Sequence, residues 1–203
     1  MKKLSYLIAF SILAWSIQAC NNNPKSKDSV ELAEDVNNRD DTANFKTAPE
    51  AGMDTTGNFD DTDFAVKAAD GGLTEVQLGK IALSNSSDQA VKNFGQMMVD
   101  DHTKANNELI ALAEKKGIAL PPAPSQDKVK HIKELNEKMG NDFDKSYIDM
   151  MVTDHEDTID LFEKASKNAT DADIKAFATK TLPVLKKHLT TVQSLKKTHD
   201  SKM

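Results

Sequence analysis

The chain has 203 residues, with 32 acidic against 26 basic side chains and a formal charge of −6. That balance repels phosphate backbones and argues against nucleic acid as a partner. A single cysteine excludes an internal disulfide framework, and the length suits one domain plus an appendage.

Lys2 and Lys3 precede an apolar run from Leu4 to Ala19, too short for a comfortable membrane span. It ends in Ile17-Gln18-Ala19-Cys20, which resembles the lipobox cut by the bacterial lipoprotein peptidase, with Gln18 departing from the usual small or apolar residue. Residues 1–19 are therefore expected to be a lipoprotein signal peptide and Cys20 the lipidation site. An ordinary signal peptide and a free thiol are the competing readings. The cysteine's position, flanks and uniqueness favour the lipid. Each buried acyl methylene contributes about 0.8 kcal/mol, so two or three chains anchor stably. The membrane is then the expected partner, through this anchor, and the cell envelope the expected location. Asn21 stands where aspartate would favour inner-membrane retention in the enteric scheme, which points to the outer membrane.

Residues 20–58 show no apolar periodicity and are rich in Asn, Asp, Lys, Thr, Ser and Glu. Such a segment buries too little apolar surface to offset chain entropy, so a disordered tether is expected.

Helical spacing begins at Phe59 and continues to about His199. A first helix spans about Asp61 to Leu83, with Phe64, Ala68, Leu78 and Ala82 on one stripe. Asn85-Ser86-Ser87-Asp88 is a turn that supplies the cap of a second helix, which runs to about Lys116 and stops at Gly117. Pro121-Pro122-Ala123-Pro124 forbids continuation. A short amphipathic crossover from about Gln126 to Met139 precedes a third helix, from near Asp142 to Asn168. The fourth follows Asp171 and contains Pro183, where a kink is expected. No segment reads as a strand, so the expected class is an all-α four-helix bundle with a helical crossover between its second and third helices.

Two similarities recur inside this region. Asp88-Gln89-Ala90-Val91-Lys92-Asn93-Phe94 resembles Asp171-Ala172-Asp173-Ile174-Lys175-Ala176-Phe177, as if two hairpins were duplicated. Met97-Met98-Val99-Asp100-Asp101-His102 recurs as Met150-Met151-Val152-Thr153-Asp154-His155 in a different register.

Unpaired charges are costly inside a bundle, yet each inner stripe carries an ionisable residue. Glu75, His155 and His188 lie on the stripes of the first, third and fourth helices, and Asp101 and His102 flank that of the second. At 1.5 Å per residue, and with the crossover returning the chain to the top, all four fall about 12 to 24 Å below the first turn. An up-down-up-down order also leaves them near the middle. Glu75, His102, His155 and His188 are thus the candidate ligands of one transition metal ion (iron, zinc, manganese or copper), with Asp101 and Asp154 as further ligands or supporting partners. A carboxylate-bridged di-iron centre would need Glu three residues before its histidines. Val99, Val152 and Leu185 stand there instead. The competing reading is a polar core network that only fixes helix register in a structural or interaction module. The paired methionines read as packing.

Phe64-Ala65-Val66-Lys67-Ala68-Ala69-Asp70-Gly71-Gly72-Leu73-Thr74-Glu75-Val76, Met98-Val99-Asp100-Asp101-His102, Lys115-Lys116-Gly117-Ile118 and Leu182-Pro183-Val184-Leu185-Lys186-Lys187-His188-Leu189 resemble domain-of-unknown-function family 4142. The resemblance covers about Asp61 to Ser194. It implies a ferritin-like bundle, export, and the pattern centred on Glu75, His102, His155 and His188, and it implies no activity. The expectation is an envelope lipoprotein whose bundle, residues 59–199, holds one metal ion and serves metal handling or stress protection.

Overall fold

The computed structural model describes residues 27–40 and 59–201, and within them six helices and no strand. These are α1 (Ser29–Asp40), α2 (Asp61–Asn85), α3 (Gln89–Lys116), α4 (Gln126–Asn136), α5 (Gly140–Asn168) and α6 (Ala172–Asp200). The expected leader, Cys20 and the remainder of the expected tether lie outside the described residues.

Aspartates start three of the four long helices. Asp60, Asp88 and Asp171 each accept backbone N–H groups of the first turn that lack helical partners. Gly117 ends α3 in the left-handed region at φ 69°, where a side chain would be strained, and its N–H returns to the carbonyls of Ala113 and Glu114. Gly140 (φ 59°) makes the corresponding bend at the start of α5. The α6 helix continues through Pro183.

α2 pairs with α3 and α5 with α6, while α2 also packs on α5 and α3 on α6. One apolar cluster gathers Phe64, Leu109, Phe162, Ile174, Phe177 and Leu185. A second gathers Leu78, Phe94, Met98, Tyr147, Met151 and Val192. α2 and α6 run from the first cluster to the second, and α3 and α5 run the opposite way. The crossover therefore carries the chain back to the end where α3 began. Neighbouring helices are antiparallel and diagonal ones parallel. This is the ferritin-like arrangement of a four-helix bundle, with α4 burying Ile132 and Leu135 along the crossover. Met98 and Met151 are fully buried in the second cluster, as packing residues.

Glycine decides how closely the first hairpin closes. A Cβ on Gly79 would lie 2.6 Å from the Gly95 carbonyl oxygen, and one on Gly95 would lie 2.7 Å from the Ala82 Cβ. Gly72 likewise lets α3 approach, since a Cβ there would overlap the Asn106 side chain.

The tether reading does not hold for residues 29–40, which form α1. Asp28 accepts from the Val30 N–H while its own N–H reaches Glu31, a capping box that offsets the weak apolar pattern. Asn37 exchanges two hydrogen bonds with the Ala119 backbone, and the Ser29 hydroxyl donates to the Ala123 carbonyl. Ala33 is buried by this docking. Tertiary contacts, rather than its own periodicity, hold the helix.

Candidate metal centre

On every long helix the ionisable residue falls between the two apolar clusters. Glu75 lies between Ala69 and Leu78, His102 between Met98 and Leu109, His155 between Met151 and Ile159, and His188 between Leu185 and Val192. These apolar residues close the layer toward both ends of the bundle. Glu75, His102, His155 and His188 are all buried.

The three histidines converge. One nitrogen from each of His102, His155 and His188 can be chosen so that all lie within 4.8 Å of one another, and the ring centroids are 5.4–5.9 Å apart. The hydrogen bonds fix which nitrogens are free. His155 Nδ1 lies 2.8 Å from the Met151 carbonyl oxygen, which only accepts, so the proton sits on Nδ1. His188 Nε2 lies 2.9 Å from Asp101 Oδ2, so that nitrogen carries its ring's proton. The remaining atoms, His155 Nε2 and His188 Nδ1, then present lone pairs to each other at 3.4 Å. His102 Nε2 is buried with no hydrogen-bond partner. Buried polar atoms are rarely left without a partner, and a metal ion or an ordered water can supply one.

Burial depresses the pKa of all three imidazoles. His155 is pushed down to about 4 by burial and the neighbouring His188, with the Met151 bond opposing. His102 lies well below its ordinary value through burial and the other two rings. His188 is lowered by burial, although Asp101 pulls the other way. The rings are neutral at pH 7, the state in which imidazole binds metal.

The carboxylates occupy three different situations. Glu75 Oε1 lies 3.9 Å from His155 Nδ1, the nitrogen already bonded to Met151, and Glu75 Oε2 has no partner. Burial first, and then Asp154, raise the Glu75 pKa to about 8, so it is a neutral acid at pH 7. Asp101, half-buried, orients His188. Asp154 instead pairs at 3.5 Å with Lys128 of the crossover helix. Tyr147 joins this layer from above. Its hydroxyl is buried without a partner, and burial with the nearby Glu75 raises its pKa. Lys128 and the Tyr147 hydroxyl were not legible as parts of the site. Tyr147 reads as one more apolar stripe position, and nothing in the crossover sequence ties Lys128 to Asp154. His131 is exposed and His199 half-buried, away from the cluster.

Nothing among curated proteins matches the chain. A solved structure of CopM in the Cu(I)-bound form is similar, with a TM-score of 0.60 over 70% of this chain and 98% of that one. Only 12% of residues are identical, so the likeness shows the helical fold alone. The family described as Domain of unknown function (DUF4142) matches residues 46–195, which take in α2 to α5, most of α6 and the segment before them. The chain belongs to the DUF4142 family.

Proposed function

We propose that the bundle binds one transition metal ion through His102, His155 and His188, and that the protein handles that metal in the bacterial envelope. The observation that carries this reading is the pair of facing lone pairs on His155 Nε2 and His188 Nδ1, beside an unpartnered His102 Nε2. A register-fixing polar network would place a donor against an acceptor; here acceptors meet acceptors. Three buried neutral donors suit copper or zinc. Copper(I) is the first ion to test, because a dication buried with no convergent carboxylate carries a larger desolvation penalty. The CopM structure, solved with Cu(I), supports the same choice. Bound metal would leave Asp101 holding His188 in its tautomer, and would bring one positive charge beside Glu75.

In this reading the acylated Cys20 holds the domain at the membrane, where it sequesters metal or protects against metal stress. The test is an anaerobic Cu(I) titration against a calibrated competitor, with Zn(II) in parallel, on wild type and on H155A and H188A. One equivalent in the wild type and none in either variant is expected. Equal uptake by all three proteins, or none by the wild type with either ion, would leave the structural reading in its place.

A further inference from the structure

Gly71 has no role in helix packing. A Cβ built on it meets no heavy atom within 4 Å, whereas Gly72 beside it is pressed against Asn106. Gly71 instead borders a cavity of about 40 Å³ that all four long helices line. The cavity extends from the exposed Lys67 and half-buried Gly71 to Glu75 and His102. Its walls next to the histidines are small on α3 and α5, whereas on α6 Leu185, one turn before His188, also borders it. Ala105 stands one turn after His102, Thr158 one turn after His155, and Thr181 two turns before His188. A space this size accepts about one or two water-sized occupants.

Small residues alone would signify only loose packing. Here two independent observations point to an occupant: the cavity is bordered by Glu75 and His102, each more than nine-tenths buried, and each with an unpartnered polar atom. No carboxylate other than Glu75 lines it, and Lys67 at its outer end is held by Asp63 at 2.7 Å.

We infer that this cavity is the shaft through which a metal ion reaches the three histidines, and that Gly71 keeps it open. The inference rests on the metal-binding reading above. A shaft this narrow passes an ion that has shed most of its hydration shell. It does not pass an intact chelate. Soft, weakly hydrated copper(I) meets that condition, and strongly hydrated Mg²⁺ does not. The proposal assigns Gly71 a function distinct from coordination: it sets the rate of loading and leaves the equilibrium affinity to the histidines.

The experiment compares wild type with G71L, which places a bulky side chain at the shaft's border, and with G71A, which adds only a methyl group. Q77L on an exposed face of α2 controls for added apolar bulk. Leucine raises helix propensity over glycine, so G71L should fold, as circular dichroism will show. Two rates are read: deuterium exchange at the His102 ring C2–H in metal-free protein, and stopped-flow Cu(I) uptake. Both are expected to fall roughly tenfold or more in G71L and little in G71A or Q77L, with final stoichiometry unchanged. Unchanged exchange in G71L would overturn the shaft, whatever the uptake rates. Slowed exchange with unchanged uptake would overturn it as the ion's route. If the wild type binds no metal, the three-histidine reading fails separately, and the exchange data still decide whether the shaft exists.

Discussion

His188 Nε2 lies 2.9 Å from Asp101 Oδ2, across from α6 to α3, and this bond turns the opposite nitrogen of the ring toward His155. Asp101 thus positions a ligand that it cannot itself reach beyond. In D101N the side-chain oxygen still accepts, but the negative charge that favours the Nε2–H tautomer is lost. Such supporting partners are worth about 10–100-fold in metal affinity. Competition titration of D101N should show a loss of that size with stoichiometry retained; affinity equal to wild type would remove Asp101 from the site.

The metal-free protein should lose stability in both pH directions. The Glu75 pKa rises from 4.5 in the unfolded chain to about 8 in the folded one. Its contribution is full below 4.5 and is lost as pH rises through about 8. His155 falls from 6.5 to about 4, so its contribution is present above 6.5 and lost as pH drops through about 4. Melting temperatures from pH 4 to 9 should fall at both ends. E75Q should flatten the alkaline side and leave the acid side in place.

Gly79→Ala tests the closeness of the first hairpin. Glycine-to-alanine exchange in a helix interior ordinarily stabilises by about 1 kcal/mol. Here the new methyl would sit 2.6 Å from the Gly95 carbonyl oxygen, and that backbone atom cannot move without parting α2 from α3. Overpacking of this kind costs about 1–3 kcal/mol, so the net change in urea denaturation should be destabilising. A stabilised G79A would mean the helices part freely.

Asn37→Ala removes both hydrogen bonds between α1 and Ala119. At about 1 kcal/mol each, their loss is enough to release a 12-residue helix that buries little of its own. Amides of residues 29–40 should exchange faster in N37A while the bundle's melting temperature stays within about 1 °C of wild type. Equal protection would show that α1 is held by other contacts.

Cys20→Ser removes the only thiol available for acylation. The variant should lose lipid labelling and move from the membrane fraction to the soluble one. Retention in the membrane fraction would assign the attachment to another part of the protein.

Much of the bundle is written in local chemistry. Asp88 and Gly117 bound α3 because a capping carboxylate and a left-handed glycine act on their nearest neighbours. The apolar period put Glu75, His155 and His188 on inner faces and left Asp101 and His102 flanking the stripe of α3, because burial side follows from spacing along one helix. α1 escaped this logic, since its capping box is local but its anchor at Ala119 is 82 residues away. Two features lay wholly in the tertiary structure. Helix lengths permit both connection orders, and only the return of the crossover makes α3 and α5 parallel. Asp101 and Asp154 each precede a histidine in nearly the same string, yet one orients His188 and the other pairs with Lys128. Their roles differ because a side chain's partner is set by the helix packed beside it: α6 lies against α3, and α4 against α5.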